Sequence, residues 1–121
     1  MIKTIPNWLQ DAVDFLNKKF PEDSDVSMFI LYGFGSVGID DDNCGFAAYN
    51  TETNSILIAD HNVIREAISE LTWDDVKDTV ITNLFHEYRH HQQNMFNLDF
   101  DEEDAEKFAN NMYKEYLLQL N

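Results

Sequence analysis

The segment His86-Glu87-Tyr88-Arg89-His90 is where this chain concentrates residue types that do chemistry. Two imidazoles four residues apart fall on one face of a helix with about 3.6 residues per turn, so both can reach a single cation. Glu87, next to the first histidine, stands where it can take a proton from a water on that ion without being a ligand itself, the position of a general base. Two imidazoles and a carboxylate suit zinc and leave a fourth position for water or a substrate carbonyl. The expected cofactor is therefore Zn2+, and the expected chemistry is metal-assisted hydrolysis of an amide. The competing reading is a solvated helix face rich in histidine, including His91, Gln92 and Gln93.

A third protein ligand is required, and the acidic run Asp101, Glu102, Glu103, Asp104 and Glu106 offers candidates. At about 100° per residue, Asp101 and Glu102 fall nearest the helix face formed by Ala105, Phe108, Ala109 and Met112, while Glu103 points away and Asp104 and Glu106 flank it. Helical phase thus favours Glu102. Against this, Glu102 follows His90 by only 12 residues, and a helix continuing to Phe96 would carry the chain about 9 Å past the site. Glu106 and Asp101 stay open as alternatives. Most of these carboxylates are expected simply to occupy a first helical turn, where the dipole favours negative charge.

Other reactive residues read as structural. Arg89 is expected to pair with a carboxylate of the acidic surface. Cys44 has no CxxC partner and no base nearby in sequence, so it reads as a packed or exposed thiol. His61, Tyr88 and Tyr113 are each read as packing or surface residues, which leaves the oxyanion donor unassigned. Acceptors for the second nitrogens of the ligating imidazoles are expected, but no residue in the sequence declares itself as one.

The elements that must position these residues follow from periodicity. Trp8, Leu9, Ala12, Val13 and Leu16 recur at helical spacing between Pro6, placed as a first helical residue, and Pro21. Segment 26–32 is a β-rich apolar run ending at Gly33; segments 45–49 and 55–59 read as a hairpin joined by residues 50–54. Gly33, Gly35 and Gly38 lack the Lys-Ser or Lys-Thr of a phosphate loop and precede Asp40 to Asp42, so they read as a turn. A short helix is expected over 62–71. Thr72 and Asp75 make a capping-box-like start to a helix over 73–95, whose apolar stripe is Val76, Val80, Ile81, Leu84, Phe85 and Tyr88. A last helix begins in the acidic run and buries Ala105, Phe108, Ala109, Met112 and Tyr116. The fold class is α+β, a small sheet with a hairpin packed on an N-terminal helix, the motif-bearing helix and a C-terminal helix.

At 121 residues, 44% hydrophobic and 13% aromatic, the chain can build one core, and a single domain over 1–121 is expected. One cysteine excludes a disulfide framework, no signal peptide or membrane span is legible, and a cytoplasmic, soluble protein follows. Eight Lys plus Arg against 23 Asp plus Glu give a net charge of −15, which repels nucleic-acid phosphates and anionic lipid. Neither nucleic acid nor membrane is an expected partner. A basic protein could be drawn to this charge, which also favours a monomer.

The pairing of His86-Glu87-Tyr88-Arg89-His90 with Glu102-Glu-Asp-Ala105-Glu-Lys-Phe108-Ala109 resembles the gluzincin group of metallopeptidases, in particular small phage and mobile-element proteins similar to the ImmA/IrrE and SprT-like peptidases. The hairpin sequence from Ala48 to Ile56 resembles the sheet segment that precedes the active-site helix in such proteins. The resemblance covers about residues 46 to 110. It implies a minimal zincin fold with an edge strand along the cleft, Glu102 as third ligand beside His86 and His90, Glu87 as base, and a cytoplasmic protein or peptide as substrate. The alternative function is a non-enzymatic acidic inhibitor on a zincin scaffold, its surface imitating nucleic acid in the basic cleft of a partner.

Overall fold

The computed structural model describes residues 5–21, 29–34, 37–38, 44–45 and 47–120. Among them are four helices, a three-stranded mixed sheet and a two-stranded ladder, an α+β arrangement. The longest helix, α3 (Trp73–Met95), packs against α1 (Asn7–Lys19), α2 (His61–Ala67), α4 (Glu102–Leu120), β4 (Ala47–Asn50) and β5 (Ser55–Ala59). Among these helices no span is long and apolar enough to cross a membrane.

Capping fixes where α3 starts. The Thr72 side chain accepts from the Asp75 amide at 3.1 Å, and the Asp75 carboxylate accepts from the Thr72 amide at 3.2 Å, so two otherwise orphaned donors are satisfied reciprocally. From there Val76, Val80, Leu84 and Phe85 are fully buried and Ile81 and Tyr88 nearly so, as the apolar stripe requires. They meet Leu9, Ala12, Val13, Phe15 and Leu16 of α1, whose helix begins after Pro6 acting as the N-cap rather than at it. Phe15, Phe85 and Tyr116 pack edge to face or tilted at 5.4–6.0 Å between ring centres, joining α1, α3 and α4.

The sheet runs β1 (Phe29–Phe34), β5, β4. β5 is parallel to β1 and antiparallel to β4, so the sheet is mixed and, among the described residues, β4 is an edge strand. Ile56 and Ile58 alternate on the face that enters the main core, while Leu57 packs with Ala48 and Ala59 on the other. The strand expected to stop at Gly33 continues to Phe34: Gly33 takes φ 109° where the register with β5 shifts, a backbone state that glycine reaches without a Cβ clash. The short helix is also shorter than its expected 62–71 span. The Asp60 carboxylate caps its start at the Asn62 amide (2.8 Å), and Ile68 leaves helical angles at φ −128°, ψ 84°. A two-stranded ladder pairs β2 (Val37–Gly38) with β3 (Cys44–Gly45), so Gly38 belongs to a strand. Segment 26–28, Gly35, residues 40–42 and the Cys44 side chain lie outside the described parts of the chain.

Because α3 packs on the other three helices and on β4 and β5, Leu84→Ala should destabilise the protein by about 2–5 kcal/mol, and Thr72→Ala by about 1 kcal/mol. Urea unfolding followed by circular dichroism checks both, and a Leu84→Ala midpoint equal to wild type would contradict the packing described.

Candidate metal centre

His86, Glu87 and His90 stand in the second half of α3, where the stripe that buries Leu84, Phe85 and Tyr88 leaves the motif at the edge of the core. The two imidazoles are 5.0 Å apart between ring centres. One potential ligand atom from each of His86, Glu87 and His90 lies within 4.8 Å of the others. The Glu102 carboxylate closes the arrangement from α4: one oxygen is 3.2 Å from His86 Nε2 and the other 2.6 Å from His90 Nε2. Two carboxylates therefore compete for the place beside the imidazoles, and their surroundings separate their roles. Glu87 is buried, whereas the Glu102 side chain is 79% exposed and touches both Nε2 atoms directly. Glu106 reaches His86 Nδ1 at 3.7 Å. The Asp101 carboxylate turns away to accept from the Asp104 amide at 3.0 Å, at the start of α4.

The chain returns to the site in a way that its length alone made hard to foresee. Helix α3 does run past His90 to Met95, and there Asn97 adopts φ 56°. The Leu98 amide bonds the Gln93 carbonyl at 2.8 Å and the Asn97 amide the Asn94 carbonyl at 3.4 Å, a paired C-terminal turn that reverses direction. Six residues, 96–101, separate the helices; after the turn at 96–97 the four residues 98–101, at up to about 3.3 Å each, recover the distance lost.

The Gln93 side chain locks that return. Its Oε1 accepts from His90 Nδ1 at 2.8 Å and from the Asp101 amide at 3.3 Å; its Nε2 donates to the Asp101 carbonyl at 3.2 Å and to the Asp104 carboxylate at 2.9 Å. The Asp101 amide and carbonyl fix which end of the Gln93 amide is oxygen, so His90 Nδ1 must be the donor and Nε2 is the nitrogen turned to the ligand side. Asp104 also accepts from Arg89 Nε at 2.7 Å, and Arg89 reaches Gln92 Oε1 at 2.9 Å. The hydrogen bonds from Arg89 and then Gln93 hold the Asp104 carboxyl below the ordinary aspartate range. Burial pushes the Glu87 carboxyl up, against the opposing pull of His90 and His86, with Glu102 adding to the rise.

Three side chains considered as oxyanion donors belong to other neighbourhoods. The Tyr88 ring packs in a three-ring cluster with Phe20 and Phe108. Tyr113 donates a short hydrogen bond to Asp78. His61 meets Tyr32, Trp8 and Trp73, and Trp73 precedes His86 by 13 residues of helix, about 20 Å along the axis. His91, Gln92 and Gln93 are buried and polar, which overturns the solvated-face reading for them. The Tyr49 hydroxyl meets His91 Nδ1 at 2.9 Å and Asn94 Nδ2 at 3.2 Å, tying the edge strand to α3.

Comparison with family models, curated proteins and solved structures finds no match to this chain.

The donor set fits a divalent cation. It joins two imidazoles whose Nε2 atoms converge on one carboxylate with a second carboxylate alongside, the N2O chemistry that suits zinc. Ligation requires neutral imidazoles and ionised carboxylates. If Gln93 orients His90 as described, Gln93→Ala lowers zinc affinity about 10- to 100-fold while the circular dichroism spectrum stays that of the wild type. Competition against a chromogenic chelator measures it, and unchanged affinity would remove Gln93 from the site.

Proposed function

We propose that this chain is a zinc-dependent peptidase of minimal zincin architecture, acting on a protein or peptide substrate. The observation that carries the reading is the Glu102 carboxylate spanning both His86 Nε2 and His90 Nε2 beside the buried Glu87. His86, His90 and Glu102 would hold the ion, with Glu106 as a neighbour able to orient His86 from its Nδ1 side. When bound, zinc supplies Lewis acidity that polarises a carbonyl and lowers the pKa of a water toward about 7.

The protein's own part is proton transfer and positioning. Glu87 accepts the proton of the attacking water and then delivers it to the departing amine, so that the amide C–N bond breaks with a neutral leaving group. Burial, which raises the Glu87 carboxyl, brings its basicity closer to what transfer near neutral pH requires. Gln93 holds the His90 ring in one tautomer through both steps. β4 lies at the edge of the sheet and packs on α3, so an extended substrate backbone can add beside it as a further strand, presenting its carbonyl toward the motif.

Glu87→Gln separates chemistry from binding. Zinc content should stay at the wild-type level while cleavage of a peptide mixture, followed by mass spectrometry, falls about 100- to 10,000-fold. Cleavage at the wild-type rate by a zinc-loaded Glu87→Gln protein would contradict the assignment of the base.

A further inference from the structure

The stretch that links α3 to α4 does more than reverse the chain. Phe96, Leu98 and Phe100 are 55%, 52% and 51% exposed, three large apolar side chains within five residues. A single exposed apolar residue is ordinary, but three large ones in one short link are characteristic of a surface that contacts something. The Phe100 ring lies over that of His90, 5.0 Å away and inclined by only 23°, and 6.4 Å from Tyr49 of β4. Phe100 therefore lies both at the candidate centre and beside the edge strand, and Phe96 and Leu98 are its exposed apolar neighbours in the linking stretch.

Its surroundings are acidic. Between Phe96 and Lys107 stand Asp99, Asp101, Glu102, Glu103, Asp104 and Glu106, with Lys107 the one basic residue. Asp99, Asp101, Glu102, Glu103 and Glu106 are exposed, and Arg89, the cation nearest in the motif, is engaged by Asp104. On a chain of net charge −15 this rim repels acidic sequences and draws basic ones, while the apolar group between the carboxylates contributes contact area. A second copy of this chain is a poor occupant, because docking the same face on itself would bring the two acidic rims together.

We propose that the centre takes a polypeptide segment carrying a large apolar side chain beside the scissile amide and lysine or arginine next to it, the apolar side chain seated on Phe96, Leu98 and Phe100. This rests on the peptidase reading and names the substrate class of that same site. Leu98 and Phe100 select the side chain by contact area; Asp99, Asp101 and Glu103 select its neighbours by charge.

The test uses the zinc-loaded full chain carrying Glu87→Gln, so that peptides bind without turnover, and three short synthetic peptides. One has a central Phe-Leu pair flanked by lysines, one replaces the lysines with glutamates, and one replaces Phe-Leu with alanines. Calorimetry should give the lysine/Phe-Leu peptide an advantage of about tenfold or more over each of the others, and its lead over the glutamate peptide should shrink as salt shortens the screening length. Leu98→Ala and Phe96→Ala, checked for unchanged zinc content, should each weaken its binding several-fold. Equal binding of the lysine and glutamate peptides, or binding indifferent to both alanine variants, would overturn the proposal. Wild-type cleavage of an unbiased peptide mixture with no preference would overturn it too while leaving the peptidase reading intact. Tight binding of the lysine/Phe-Leu peptide with no cleavage by zinc-loaded wild type would overturn the peptidase reading, and with it the scissile amide, leaving only the docking preference of this surface.

Discussion

A carboxylate from one helix has to meet two imidazoles on another after the chain has already travelled beyond them, and the Gln93 amide is the interaction that permits it. Its oxygen orients His90, its nitrogen holds the first turn of α4 through the Asp101 carbonyl and the Asp104 carboxylate, and the turn at Asn97 delivers the chain to it. Gln93 is almost fully buried, where an unmade hydrogen bond costs about 1–3 kcal/mol. All four of its contacts are made, so the link between the helices is rigid at the point where Glu102 must be placed. Arg89 extends the same lock by pairing with Asp104 while its guanidinium lies 5.4 Å from the centre of the Phe108 ring.

The rest of the fold supplies a fixed α3. Apolar faces of α1, α4 and β5 close on its first half, and the polar second half carries histidine and glutamine that a core would reject unless each found partners. Tyr49 and Asn94 both donate to the side-chain Oδ1 of Asn54 in the hairpin turn, at 3.1 Å each, while Tyr49 also meets His91, so hydrogen bonds tie the edge strand to the motif helix. Burial of Glu87 follows from the same packing, and with it the shift of its carboxyl toward the basicity that proton transfer would need.

Much of this was legible in the sequence because it rests on local rules. The Thr72-Asp75 capping box marks the start of α3 and the stripe from Val76 to Tyr88 its buried face, and helical phase favours Glu102, with Asp101 and Glu106 as alternatives; Glu102 is the one whose carboxylate lies on both imidazoles. What escaped depends on long-range geometry. The left-handed Asn97 removes the apparent excess length, yet nothing in a one-dimensional reading distinguishes it from any other loop asparagine. The acceptor for His90 does not declare itself in the sequence; the place of Gln93 three residues after His90, on the same helix face, is the signal that marks it. A glycine in an apolar run is compatible with a strand end or a bulge, and Gly33 sits at a shift of register inside the strand.

Elemental analysis of purified wild type, His86→Ala, Glu102→Ala and Glu106→Ala tests the central claim most directly. The account predicts about one zinc per wild-type chain, lost in His86→Ala and Glu102→Ala and kept in Glu106→Ala. Absence of metal from the wild type under zinc-replete conditions, or full retention in Glu102→Ala, would contradict it.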